Sequence, residues 1–296
     1  MLCVPDGPRE GALIRNPELV MAAVYEREIR ASIESVWENV LDWEHLPWLH
    51  DQAFQSIERR SSGDWGWTAT VGFAGDVQAE IELIVDRKAG HYVARTVAGF
   101  GAPGEIWTFL ESVALGTTTI RVEFWVTPIP EEGLAKVGAA YVALYTGLWD
   151  QDEEMMQTRE RAFARRGERA GAQSRDEPSS SASWEGVDLG PLEALRRRLP
   201  LVVEFAGHRY RVIDLEGELV AHSVECPHWL GPLEDCAVES GTVICPWHGY
   251  RFDVMTGRNS EGRPLRLRTA PRTEIDEATQ RVRLVEAESS ENLPAM

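Results

Sequence analysis

Residues 20–30 alternate apolar and polar side chains, the period of a strand with one buried face. The pattern then changes. Ile33, Val36, Trp37, Val40 and Leu41 fall at i, i+3, i+4, i+7 and i+8, the stripe of an amphipathic helix. Ser32 stands at the N-cap, where a hydroxyl can accept from an orphan backbone N–H, and Glu34 and Glu38 come early in the helix. Pro47 should stop or kink it. From about residue 54 to 127 the text is β-rich: segments 65–73, 77–85, 92–97, 106–113 and 118–126 are separated by turn residues at 62–64, 75–76, 88–90 and 115–116. This predicts a run of antiparallel hairpins. A long helical segment follows, from about 130 to 166.

Along that segment Tyr141, Tyr145, Leu148, Asp152, Met155 and Met156 share one stripe, so Asp152 should face inward. Asp150 groups instead with Gly147 and Glu154 on a polar face. Residues 167–183 are rich in Arg, Glu, Ser, Ala and Gly without periodicity and read as a flexible linker. A second domain is expected over 184–290, with short strands at 201–205, 210–215 and 219–224. Residues 1–18 read as a tail, and the chain should fray from about 286.

The length of 296 residues fits two domains. The formal net charge of −18, from 30 Lys+Arg against 48 Asp+Glu, argues against a phosphate-backbone binder, which needs a basic face. No apolar run approaches the ~18 residues of a membrane span. The first residues show no basic-then-apolar leader, so a cytoplasmic protein is expected.

Two of the four cysteines fall in Cys226-Pro-His228 and Cys245-Pro-Trp-His248, a Cys-x-His and a Cys-x-x-His sixteen residues apart. Cys3 and Cys236 are left over and are expected as free thiols. Each half-motif offers one sulfur and one nitrogen. Zinc modules pair Cys with Cys and His with His. Thiolates on one iron and neutral imidazoles on the other suit a [2Fe–2S] cluster with a raised potential, roughly −150 to +300 mV. The flanking Gly231-Pro232-Leu233 and Gly249-Tyr250-Arg251-Phe252 complete a motif that resembles the Rieske domains of oxygenases and soluble ferredoxins.

The order of strand, helix, five or six antiparallel strands and long helix resembles the helix-grip (START/polyketide-cyclase-like) superfamily, and residues 29–48 look like its opening strand and helix. The fold class expected is thus an α+β helix-grip domain over 19–166 followed by an all-β Rieske domain. Within 42–50 stands Asp42-x2-His45-x4-His50. Similar text in Rieske non-haem iron oxygenases supplies the two histidines of a facial triad, with a carboxylate from a late helix. The resemblance therefore implies mononuclear Fe(II) on His45, His50 and Asp152. It also implies Asp42 as an electron-transfer bridge between an iron histidine and a cluster histidine. It brings with it a separate reductase or ferredoxin as electron donor, a hydrophobic small-molecule substrate and a homotrimer. Two departures stand out: the Rieske domain follows the other domain instead of preceding it, and the helix-grip part is short for a catalytic domain. His45 and His50 can reach one metal only if the helix breaks near Leu46-Pro47.

Gly99-x-Gly101-x-x-Gly104 matches a dinucleotide fingerprint but is followed by a strand, which leaves no helix N-terminus for a pyrophosphate. It is expected to be a hairpin turn, and electrons must come from another protein. His91, His208 and His222 read as structural or exposed, and Trp67 and Trp107 could line a cavity. Two functions remain open. One is an oxygenase that hydroxylates, demethylates or desaturates an apolar substrate with dioxygen. The other is a ligand-binding helix-grip protein fused to a Rieske ferredoxin that only carries electrons.

Overall fold

The structure is a computed structural model that describes residues 13–173 and 186–287. The chain divides into two compact units, the first ending at Thr158 and the second starting at Arg159.

The first unit is built on seven strands: β1 (Val20–Ile29), β2 (Ser56–Gly63), β3 (Gly66–Phe73), β4 (Val77–Asp86), β5 (His91–Gly99), β6 (Gly104–Ala114) and β7 (Thr117–Val126). They form one antiparallel sheet of order β1-β7-β6-β5-β4-β3-β2. The register shifts at Met21/Ala23, Arg59/Ser61, Glu80/Ile81 and Ser112/Ala114. Such bulges bend and twist strands. Helices α1 (Ile33–Leu41) and α2 (Leu46–Leu49) connect β1 to β2, and α3 (Glu131–Gln173) follows β7. This is the helix-grip class.

Alternation along β7 decides where α3 sits. Ile120, Val122 and Phe124 are fully buried on one face. The Phe124 ring stacks on Tyr141 and meets Tyr145 edge-on, each at 4.8 Å. Trp149 and Met156 of α3 join the same core as Val36 and Trp37 of α1. α3 also comes close to β1 at its bulge: a Cβ at Gly138 would lie 2.4 Å from the Ala22 carbonyl oxygen. Glycine at 138 is what permits that approach.

Ser32 caps α1 as expected, its Oγ accepting from Ser35 N–H at 3.2 Å. The break after α1 differs from expectation. The helix ends at Leu41, five residues before Leu46, and Pro47 lies in the first turn of α2. There a proline costs nothing, because the first N–H groups of a helix have no internal partner. The Val40 carbonyl, one of the orphans at the end of α1, accepts from the Trp67 indole N–H at 3.2 Å.

Two expectations on chain organisation change. α3 continues through residues 167–173, read as linker; Ala, Glu, Arg and Gln there are helix formers. The remaining linker positions, 174–185, lie outside the described residues, as do 1–12 and 288–296. The described end of the expected tail is pinned: Arg15 pairs with Glu123 at 2.7 Å and lies 4.2 Å over the Trp125 ring.

The second unit holds β8 (Val187–Pro191), α4 (Leu192–Arg196), β9 (Leu201–Phe205), β10 (His208–Leu215), β11 (Glu218–Ser223), β12 (Val238–Glu239), β13 (Thr242–Ile244), β14 (Arg251–Asp253), β15 (Arg272–Ile275) and β16 (Arg281–Val285). They make three-stranded sheets β11-β10-β9, β12-β13-β14 and β15-β16-β8. Leu195, Val212, Val282 and Leu284 are fully buried in its core. Among the described residues no helix is long and apolar enough to cross a membrane.

Candidate metal centres

The Cys226–His228 loop follows β11 and the Cys245–His248 loop lies between β13 and β14. The two loops repeat one hydrogen-bond pattern. Cys226 N–H donates to Gly231 O, and Leu230 N–H returns to Cys226 O, at 2.9 and 3.0 Å. Cys245 N–H donates to Tyr250 O, and Gly249 N–H returns to Cys245 O, both at 2.9 Å. Leu230 and Gly249, at the same place in the two loops, have φ of 63° and 67°. Two matched turns thus present a cysteine and a histidine each.

They present them to one another. Cys226 and Cys245 are fully buried. A Cβ at Gly231 would lie 2.7 Å from Cys245 Sγ, so the first loop needs glycine for the second loop's sulfur to enter. Hydrogen-bonded to the Cys226 thiol, Cys245 titrates below the ordinary thiol value. The rings of His228 and His248 are 4.5 Å apart and nearly perpendicular. The rings make other contacts, but the Nδ1 atoms of both are buried and take up no hydrogen bond. Two thiols and two such nitrogens around one space are a donor set that fits a [2Fe–2S] cluster. The Tyr250 ring packs 4.6 Å from His228, and the Arg263 guanidinium lies 4.1 Å from the Tyr250 ring centre.

Cys236 is a free, half-buried thiol that donates to Pro232 O at 3.4 Å, while Cys3 lies outside the described residues. His222 is buried with Nδ1 3.0 Å from Ser223 O, a structural position.

In the first unit the break between α1 and α2 turns two histidines the same way. His45 Nε2 lies 3.6 Å and His50 Nε2 3.1 Å from Asp152 Oδ1. The three ligand atoms fall within 4.8 Å of one another, and all three residues are buried. Asp150 is exposed and pairs with Arg27 at 2.7 Å, as its polar face implied.

Two residues that the sequence reading passed over complete this cluster. Asn39 Nδ2 donates to Asp152 Oδ1 at 3.1 Å, and Gln151 Oε1 lies 2.8 Å from His50 Nδ1. Asn39 was detectable as a polar residue beside the apolar stripe of α1. An amide oxygen can only accept, so Nδ1 carries the proton and Nε2 faces Asp152. Burial penalises both charges, yet contact with Asp152 raises the pKa of His50. Contact with His50, the charge of His45 and the Asn39 bond hold Asp152 below the usual carboxylate range despite burial. Two imidazole nitrogens and one carboxylate oxygen on a common side fit a ferrous ion.

Continued past Leu41, the helical wheel of α1 would put Asp42 opposite the stripe of Val36, Trp37 and Val40, on an exposed face. Asp42 is instead the C-cap of α1, with its side chain only 9% exposed and Oδ2 3.5 Å from His45 Nδ1. A chain that leaves helical geometry at Asp42 no longer obeys the helical wheel.

A cavity of about 290 Å³ opens beside the triad. Its lining includes Phe54, Trp67, Phe73, Tyr145 and Trp149. Burial pushes the hydroxyl pKa of Tyr145 well up. Trp67 thus lines the cavity. Trp107 does not: its indole donates to Glu105 at 2.8 Å, and Arg15 lies 5.5 Å from its ring. Residues 99–104 form the β5–β6 turn, as expected.

Comparison with known proteins assigns the second unit. Residues 186–271 match the Rieske [2Fe–2S] domain family. The chain thus carries a Rieske domain, which implies a [2Fe–2S] cluster and a redox partner. It is 36% identical over 58 residues to the ferredoxin component of the naphthalene 1,2-dioxygenase system of Pseudomonas aeruginosa, covering 20% of this chain and 56% of that protein. It is 35% identical over 71 residues to the ferredoxin component of the p-cumate 2,3-dioxygenase system of Pseudomonas putida, covering 24% of this chain and 56% of that protein. Apoptosis-inducing factor 3 of Homo sapiens matches at 36% over 55 residues, 19% of this chain and 9% of that protein. The chain therefore spans at most about half of these relatives. Among solved structures, norcoclaurine synthase from Thalictrum flavum aligns at 18% identity and TM-score 0.36, over 50% of this chain and 95% of its own. A START superfamily protein from Mycobacterium smegmatis aligns at 14% and 0.37, over 46% and 96%.

Proposed function

We propose that the protein is a Rieske-type non-haem iron oxygenase with its two domains in reversed order. In this reading Cys226, His228, Cys245 and His248 hold the [2Fe–2S] cluster. His45, His50 and Asp152 hold one ferrous ion, and the cavity beside them takes a small apolar substrate. The observation that carries the reading is the convergence of His45 Nε2 and His50 Nε2 on Asp152 Oδ1. When bound, the ferrous ion supplies dioxygen activation.

The chain's own residues do the rest. Gln151 fixes the tautomer of His50, and Asn39 fixes the rotamer of Asp152. Asp42 stands beside His45 Nδ1, where a carboxylate can orient the ring and link it to a cluster histidine. Phe54, Trp67 and Phe73 wall the cavity and keep water from the reacting position. Among the described residues no lysine or arginine lines the cavity, which favours an uncharged substrate over a carboxylate.

The second reading, an electron carrier with a ligand-binding domain, is favoured by the ferredoxin components among the relatives. Metal exchange separates the two. Reduced protein loaded with Fe(II) is mixed with dioxygen and compared with protein loaded with redox-inert Zn(II). An oxygenase reoxidises its cluster far faster with iron in the first unit. Equal rates with the two metals leave the carrier reading.

A further inference from the structure

The second unit carries a surface whose charge runs against that of the whole chain, −18. Many of the chain's arginines are answered by carboxylates, Arg27, Arg121, Arg196, Arg209 and Arg281 among them. Arg258, Arg266 and Arg268 are exposed, and among the described residues none of the three has an ion pair.

The backbone puts them together. Leu267 is 3% exposed and its N–H donates to Gly257 O at 2.8 Å. With Leu267 held inward, Arg266 and Arg268 project outward on either side of it. Arg258 and Arg266 are direct partners in an antiparallel bridge. Like charges facing each other across a ladder are destabilising, so this arrangement costs stability unless something anionic covers it. Arg266 Nε donates to Thr256 O at 3.1 Å, which fixes its guanidinium.

Arg266 and Arg268 border a cleft of about 540 Å³ whose walls include Arg166, Tyr210, Glu225 and Pro227. Pro227 is the middle residue of the Cys226–His228 loop. Arg166 and Glu225 answer each other at 3.0 Å, so the charge left over in the cleft is positive.

We propose that this arginine surface docks an acidic one-electron carrier protein, whose carboxylates pair with Arg258, Arg266 and Arg268 beside the Cys226–His228 loop. One electron leaves the reduced carrier and enters this unit's [2Fe–2S] group; no bond is made or broken and no proton moves. An extended polyanion fits less well, because it would also lie along the acidic remainder of the chain, whereas a compact carboxylate patch can meet the three arginines alone. The proposal needs only the Rieske domain and stands whether or not the first unit holds iron.

Its test uses the full-length holoprotein, an acidic plant-type [2Fe–2S] ferredoxin as probe and basic cytochrome c as control. Calorimetric affinity is measured from low to high salt. Wild type is expected to bind the ferredoxin, more weakly as salt rises, and to bind cytochrome c far less. Arg266→Gln/Arg268→Gln should lose at least about tenfold in affinity at low salt and flatten the salt dependence. Arg266→Lys/Arg268→Lys should keep most of the binding, and Arg196→Gln, which does not line the cleft, all of it. An unchanged Rieske EPR signal in each variant certifies the fold. Equal binding by the Gln variant, no binding by wild type, or equal binding of cytochrome c overturns the proposal.

Discussion

Nε2 of His50 lies 3.1 Å from Oδ1 of Asp152, a contact between the short helix before β2 and the long helix after β7, 102 residues apart in the chain. A buried carboxylate and a buried imidazole need each other or a cation. The position of His45 Nε2, 3.6 Å from the same oxygen, favours the cation. Replacing any one of the three with alanine should therefore remove one iron per chain and leave the Rieske EPR spectrum unchanged. The check is iron and acid-labile sulfide on each variant; an alanine variant that keeps the wild-type iron content removes its residue from the ligand set.

The cluster ligands give the most direct colour test. Cys226→Ser and Cys245→Ser should each abolish the red-brown absorbance and the EPR signal of the reduced protein, because a hard oxygen poorly replaces a cluster thiolate. A colourless wild type that binds zinc at these residues would contradict the assignment.

Asp42 sits 3.5 Å from His45 Nδ1 and is expected to link that ring to a cluster histidine. Asp42→Asn keeps the size and removes the charge. Both metals should remain, while oxidation of the reduced cluster slows by more than the ~10–100-fold common for residues behind metal ligands. Stopped-flow absorbance with dioxygen and ligand present reads this directly. Oxidation at the wild-type rate means that electrons take another route.

Two glycines of α3 should respond in opposite directions. Alanine is favoured over glycine by about 1 kcal/mol in a helix interior. At Gly147, where a Cβ meets nothing within 4 Å, Gly147→Ala should stabilise by up to that amount. At Gly138 the Cβ would meet a backbone carbonyl at 2.4 Å, which cannot move aside, so Gly138→Ala should cost about 1–3 kcal/mol. Urea unfolding of the pair decides; stabilisation by both means that α3 does not approach β1 closely.

The parts legible in the sequence were those that short-range pattern controls. The Ser32 cap, the alternation of β7 and the inward stripe of Asp152 against the outward Asp150 follow from local periodicity. The two cluster loops follow from fixed spacing. What escaped depends on tertiary partners. Gln151 and Asn39 acquire their roles only once α1 and α3 face each other. Asp42 escaped because the wheel was extended past the end of the helix. Trp107 has the same composition signal as Trp67 and lies on the other face of the sheet. The strand β2, SIERRSSG, is polar and edge-located, so no hydrophobic period announced it.

The central claim is that one chain holds both a Rieske cluster and a separate iron at His45, His50 and Asp152. It is tested most directly by counting iron and acid-labile sulfide in the same ferrous-reconstituted preparation, for wild type and Asp152→Ala side by side. The account predicts about three irons and two sulfides per chain in wild type and about two of each in the variant, the Rieske centre itself holding two of each. Two irons and two sulfides in both proteins would contradict it.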